Sequence, residues 1–208
     1  MSAAGGTRRL FFALWPEPGQ QAELAQAAKK AVAESRGRAV ASESLHITLA
    51  FLGSVPELRL GDLAAVARRV ARSAVLASPL EISFERTEYW KKAQVLCAVR
   101  DGGGASEAGV VRVAGEPPPA DGVREASRLA DALKTELLTA GFTPDLKPFR
   151  AHVTLARKVP RRSDWCGREL HRVSWRFTEF SLMESRTRAE GALYSVVESW
   201  LLSRARME

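Results

Sequence analysis

The sequence predicts a duplicated α+β fold, and three observations carry the prediction. The phrase His-apolar-Thr-Leu occurs twice, as His46-Ile47-Thr48-Leu49 and His152-Val153-Thr154-Leu155, in a chain with only three histidines. Each copy follows the same order of a strand pattern and then a helix pattern. The spacing also agrees: the helix pattern starts 28 residues before His46, at Pro18, and 29 residues before His152, at Val123.

In chain order, Leu10 to Trp15 is a continuous apolar run and reads as a buried strand. Leu24, Ala28, Ala31 and Val32 fall at helical spacing within Pro18 to Ser35. Leu45 to Leu52 reads as the strand bearing the first phrase, stopped by Gly53, and a second helix is predicted from about Pro56 to Leu76. Leu80, Ile82 and Phe84 alternate as a strand, and Val95 to Val99 is the next one. A helix from Val123 to Ala140, ended by Gly141, leads to the second phrase. Two further strands are expected, near Val173 to Met183 and Ala192 to Leu202.

One interval breaks the symmetry. First strand to histidine is 36 residues from Leu10 but 57 from Val95, and the excess matches the 21 residues Asp101 to Asp121. That segment is rich in Gly and Pro and lacks periodicity, so it reads as a mobile insertion. The expected organisation is one two-part domain over 1–208, with halves of about 1–90 and 91–208.

Composition limits the function classes. No apolar run reaches membrane-spanning length, and the apolar stretch after Arg8-Arg9 ends at Trp15-Pro16 without an export-signal pattern, so a cytoplasmic protein is expected. Cys97 and Cys166 lack metal or redox spacing and read as reduced thiols. The net charge of +7, carried mostly by arginine, suits a phosphate-bearing partner and equally fits an Arg-rich coding bias.

The chemistry lies in the repeated phrase. On a strand, side chains at i and i+2 share a face. His46 and Thr48 therefore point one way, with Ile47 and Leu49 anchoring the strand from behind, and His152 and Thr154 do the same. Packed about a pseudo-two-fold axis, the halves would bring two imidazoles and two hydroxyls into one space. Histidine titrates near neutral pH, so one imidazole can accept a proton while the other gives one. Threonine hydroxyls are compact donors to phosphate oxygens. No further histidine or carboxylate falls at ligand spacing beside either phrase, so neither metal nor cofactor is expected. His171, in ELHRVSW, lacks such a setting and reads as a surface residue.

The paired phrase resembles the two-histidine (2H) phosphoesterase superfamily, and more closely its RNA 2′,3′-cyclic phosphodiesterases, historically called 2′-5′ RNA ligases. The resemblance runs along most of the chain: RLFFALWP at 9–16, SLHITLAFLG at 44–53, FRAHVTLAR at 149–157, and SLMESR with Tyr194 near the end. Ala151 departs from the proline usual before the second histidine and removes no catalytic group. The 101–121 insertion is a second departure.

The resemblance implies a bilobal fold of two antiparallel sheets, with helices outside and a central cleft between pseudo-two-fold-related lobes. It implies His46 and His152 as the acid–base pair and Thr48 and Thr154 as phosphate holders. Phe149, Arg150 and Arg157 become candidate substrate contacts. Arg150, two residues before His152, shares its strand face. Arg157, five residues after it, points away unless the strand ends or bulges there. Trp165 with Arg161 and Arg162 reads as a solvated loop or, second, as a stacking rim for RNA. The implied reaction is metal-independent opening of an RNA or nucleotide 2′,3′-cyclic phosphate to a 2′-phosphomonoester by a monomeric enzyme. The alternatives are joining of tRNA halves through a 2′-5′ linkage and RNA binding without catalysis. The near symmetry of the halves leaves open which histidine is acid and which is base.

Overall fold

The computed structural model describes residues 6–73, 79–100, 122–161, 167–188 and 191–202. The 101–121 insertion, Arg162, Trp165 and Cys166 lie outside them. The apolar run near the start forms β1 (Thr7–Leu14), and α1 (Pro18–Ser35) follows. Proline at the first helical position costs no hydrogen bond there. Gln21, Leu24, Ala28, Ala31 and Ser35 form the helix's buried face. A two-residue strand β2 (Arg38–Ala39) and a short 3-10 turn (Ser42–Ser44) then lead to β3 (Ile47–Pro56).

Gly53 does not stop β3. Its positive φ of 72° accompanies a register shift that leaves Leu52 unpaired, and the strand continues to Pro56. After a second 3-10 turn come α2 (Leu60–Ser73), β4 (Leu80–Trp90), β5 (Val95–Val99) and α3 (Gly122–Thr139). β4 outruns its apolar alternation because Arg86 and Glu88 form an ion pair while Thr87 and Tyr89 stay buried behind them. α3 ends where the glycine predicted: Gly141 (φ 75°) donates to Leu138 O and Phe142 N to Leu137 O, closing the last carbonyls.

β6 (Val153–Arg157) carries the second phrase, followed by β7 (Glu169–Phe177), β8 (Glu179–Arg188) and β9 (Gly191–Leu201). The single strand expected over Val173 to Met183 is therefore two, which leave Thr178 between them and enter different sheets. The alternation slips by one there: Val173, Trp175 and Phe177 are buried, Thr178 and Glu179 are both exposed, and burial resumes at Phe180 and Leu182, so the junction was legible in the sequence as two consecutive polar residues.

Both sheets are antiparallel, one ordered β3-β1-β8-β9 and the other β2-β6-β5-β4-β7. Apart from the short edge strand β2 the orders correspond: β3 matches β6, β1 matches β5, β8 matches β4 and β9 matches β7. The first half places β1 and β3 in one sheet and β2 and β4 in the other, while the second places β5, β6 and β7 in one and lends β8 and β9 to the other, so the sheets do not divide at residue 90. α1 joins two strands of the first sheet yet packs on β5, β6 and β7 of the second; α3 packs on α2, β3 and β4. A continuous core from Leu10 and Phe12 through Leu63, Phe84 and Leu133 to Trp175 and Phe180 spans both sheets. No helix among the described residues is long and apolar enough to cross a membrane.

Candidate active site

Each histidine sits one residue before its strand, and the alternation read from the sequence holds. Ile47 and Leu49, like Val153 and Leu155, are buried, while His46, Thr48, His152 and Thr154 are partly exposed. Those four side chains line one open cleft with Arg157, Val40 and Ser44.

The two imidazoles are held identically. His46 Nδ1 lies 2.7 Å from Ser44 O, and His152 Nδ1 lies 2.7 Å from Arg150 O, the carbonyl two residues back in each case. A carbonyl only accepts, so Nδ1 carries the proton and donates, which leaves Nε2 free for proton transfer.

A paired irregularity brings Arg157 to the cleft. Across β5 and β6, Leu96 faces Ala156 but Cys97 faces Thr154, so Leu155 is an extra residue. Across β1 and β3, Phe12 faces Ala50 and Ala13 faces Thr48, so Leu49 is extra in the same way. Each bulge buries two consecutive residues, Leu49-Ala50 and Leu155-Ala156, and reverses the alternation beyond it. Arg157 thereby turns to the face of Thr154, where regular alternation would have pointed it away. Its counterpart in the first repeat is Phe51, which packs with Phe11 and Met183.

Arg150 is placed differently. It forms an ion pair with Glu88, and its guanidinium sits 5.0 Å over the Trp90 ring, outside the residues lining the cleft. Phe149 packs against the main core, Arg161 is exposed, and His171 is exposed on β7.

The surroundings of the two histidines differ in ways the sequence pattern did not reveal. His46 is stacked on Trp15 at 5.0 Å and flanked by Phe11 and Tyr194, each at 5.1 Å. Among the described residues His152 meets one ring, Trp90, at 4.5 Å. Burial, reinforced by the Arg157 cation, pushes His46 down to about 4. The same causes, with Arg150 added, lower His152. Burial thus favours the neutral form of both imidazoles. Cys97, beside Thr154, is pushed up to about 12 by burial and stays protonated. Among the described residues no three His, Cys, Asp or Glu side chains come together as a metal site.

A segment between α1 and β3 ties the two motifs together. β2 pairs with β6, Arg38 facing Arg157, and Val40 N donates to Leu155 O at 2.8 Å. The lead-in to His46 thus runs along the strand of His152. Conversely, Asp145 N, in the lead-in to His152, donates to Phe51 O of β3 at 3.0 Å. Two carbonyl bonds and a two-residue strand leave no pattern in side-chain type, which is why this link was not legible beforehand.

Comparison with known proteins agrees with this geometry. The family model for LigT-like phosphoesterases matches residues 14–97 and 117–194. The chain is 32% identical over 204 residues to an RNA 2′,3′-cyclic phosphodiesterase of Thermus thermophilus, covering 93% of this chain and 90% of that one. It is 25% identical over 174 residues to a protein of the same name from Escherichia coli, covering 80% and 81%. In fold it matches the crystal structure of E. coli LigT complexed with 3′-AMP at a TM-score of 0.73 and 23% identity, over 95% of this chain and 99% of that one. The duplicated sheets, the two H-x-T phrases facing one cleft and the match along most of its length make this chain a member of the LigT-like phosphoesterase family.

Proposed function

We propose that this protein hydrolyses RNA or nucleotide 2′,3′-cyclic phosphates to 2′-phosphomonoesters with its two histidines as base and acid. The observation that carries the reading is the matched pair of imidazoles, each with Nδ1 fixed on a backbone carbonyl, beside two threonine hydroxyls in one cleft. The names of the two relatives support the substrate class.

Thr48, Thr154 and Arg157 would hold the non-bridging oxygens, two by hydroxyl donation and one by charge. His152, which among the described residues meets a single ring where His46 meets three, is the imidazole assigned to incoming water, and it takes the proton as the water oxygen bonds to phosphorus. The bond from phosphorus to the 3′ oxygen breaks, and His46 gives that oxygen its proton. His46 must first become cationic. The bound phosphate raises both histidines, and the faces of Trp15, Phe11 and Tyr194 favour an imidazolium beside them. Arg150, committed to Glu88 and Trp90, would act by holding the His152 carbonyl anchor in place.

Assaying the purified protein against 2′,3′- and 3′,5′-cyclic nucleotides and cyclic-phosphate RNA tests this reading. Turnover of the 2′,3′ compounds to 2′-phosphates is expected. Longer RNA from cyclic-phosphate and 5′-hydroxyl ends would favour ligation, and tight RNA binding without turnover would make the chain a binding module.

The donor set also predicts independence from metal. Rates after exhaustive EDTA treatment should match those before it. Loss of turnover on chelation, with restoration by a divalent ion, would refute a purely imidazole mechanism.

A further inference from the structure

We infer that Gln21 and Lys134 are positioning residues, buried helix side chains that each grip the backbone leading into one histidine and hold it opposite the other. The inference deepens the two-histidine reading above and rests on it. Gln21, on α1, is 3% exposed. Its amide nitrogen donates to Glu43 O at 3.1 Å and to Leu45 O at 3.0 Å. Those carbonyls flank Ser44, whose own carbonyl anchors His46. Both amide hydrogens are thus spent on the turn that presents the anchor. A polar group this buried is placed by its partners, because leaving it unpaired is costly.

Lys134, on α3, is 9% exposed and donates from Nζ to Lys147 O at 2.6 Å, in the lead-in to His152. Neither residue lines the cleft. Gln21 lies in the first turn of α1 and Lys134 in the second half of α3, so the two grips are alike in kind without occupying equivalent positions of the repeat.

α1 gives the grip its leverage. It packs on the sheet that carries His152, while Gln21 holds the turn that carries His46. Trp175 Nε1 donates to Gln20 O at 2.9 Å, which pins the helix to β7 one residue before the grip. The separation of the imidazoles is therefore set through α1 as well as through the pairing of β2 with β6.

The three histidines make the test direct. Ring resonances of His46 and His152 can be titrated by NMR in the free protein, with exposed His171 as the internal control. In Gln21→Met the His46 ring should shift, and its pKa should rise toward the ordinary value as the turn loosens and water enters; His152, which interacts with His46, should change less, and His171 not at all. The groups facing His46 are Arg157, His152 and Tyr194, none of them altered by this substitution. Lys134→Met should move the His152 ring and spare His46. Gln21→Glu, which keeps the shape and replaces donors by an acceptor, serves if the methionine variant does not fold. Rates on a 2′,3′-cyclic nucleotide should fall by about 10- to 100-fold in Gln21→Met, the scale of a misplaced catalytic group. In a His46→Ala background the same change should cost nothing further. Unaltered His46 signals in a folded Gln21 variant, or an equal loss in both backgrounds, would overturn the inference. Because the NMR readout needs no substrate, it fails or succeeds independently of the proposed reaction.

Discussion

Alanine at His46 or His152 is expected to lower the rate on 2′,3′-cyclic substrates by roughly 10²- to 10⁴-fold, the usual contribution of one general acid or base. Each imidazole offers the cleft one nitrogen, because the other is spent on a carbonyl. Among the described residues no second acid or base is poised to substitute, since Cys97 stays protonated and Glu88 is paired with Arg150 and Arg86. The double variant should be little worse than either single one, because two groups acting in one transition state do not contribute additively. Thr48→Ala and Thr154→Ala should weaken substrate and transition-state binding more than proton transfer. Steady-state kinetics on purified variants decides the matter, and near-normal turnover in either histidine variant would contradict the acid–base pair.

Trp175→Ala is expected to cost about 3–5 kcal/mol of stability, as removal of a large buried aromatic does. Trp175 is fully buried on β7, meets Phe84 edge-on at 5.0 Å and donates its indole N–H to Gln20 O. Its loss opens a cavity under α1 and frees the end of the helix that holds the His46 turn. Marginal stability of about 5–15 kcal/mol makes this a large fraction of the total. Trp175→Phe keeps most of the volume and loses chiefly the hydrogen bond, worth about 1 kcal/mol. Denaturant midpoints for the two variants should rank in that order. A Trp175→Ala midpoint within error of wild type would show that α1 does not depend on this anchor.

What the sequence disclosed follows from where the information is stored. His46, Thr48, His152 and Thr154 were legible because strand alternation is local and the apolar residues between them are buried, as the pattern requires. The bulges at Leu49 and Leu155 were not, because a bulge is a count of one strand against its neighbour. Arg157 consequently entered the cleft against the simple parity argument, while Arg150, on the expected face, was drawn to Glu88, a residue 62 positions away. The passage at Thr178 from one sheet to the other left only a one-residue slip in the alternation, the polar pair Thr178-Glu179, which is short enough to read as one continuous strand. The rings around His46 come from β1, from Trp15 just after it, and from β9, and only the assembled first sheet brings them together.

The pH dependence of kcat/KM, measured where chemistry limits the rate, tests the two-histidine mechanism most directly. The competent free enzyme has one imidazole neutral and the other protonated, so the profile should be a bell. Both histidines are lowered from 6.5, His46 to about 4. The singly protonated form is therefore lost as pH rises through a limb below 6.5, and a second proton abolishes it on the acid side. Bound phosphate favours the cations, so the limbs of kcat should lie above those of kcat/KM. The limbs belong to the interacting pair. Replacing one histidine by glutamine should erase one limb from the residual activity, and the limb that vanishes identifies the role. A flat profile from pH 5 to 9, or a bell that survives intact in either glutamine variant, would contradict the account.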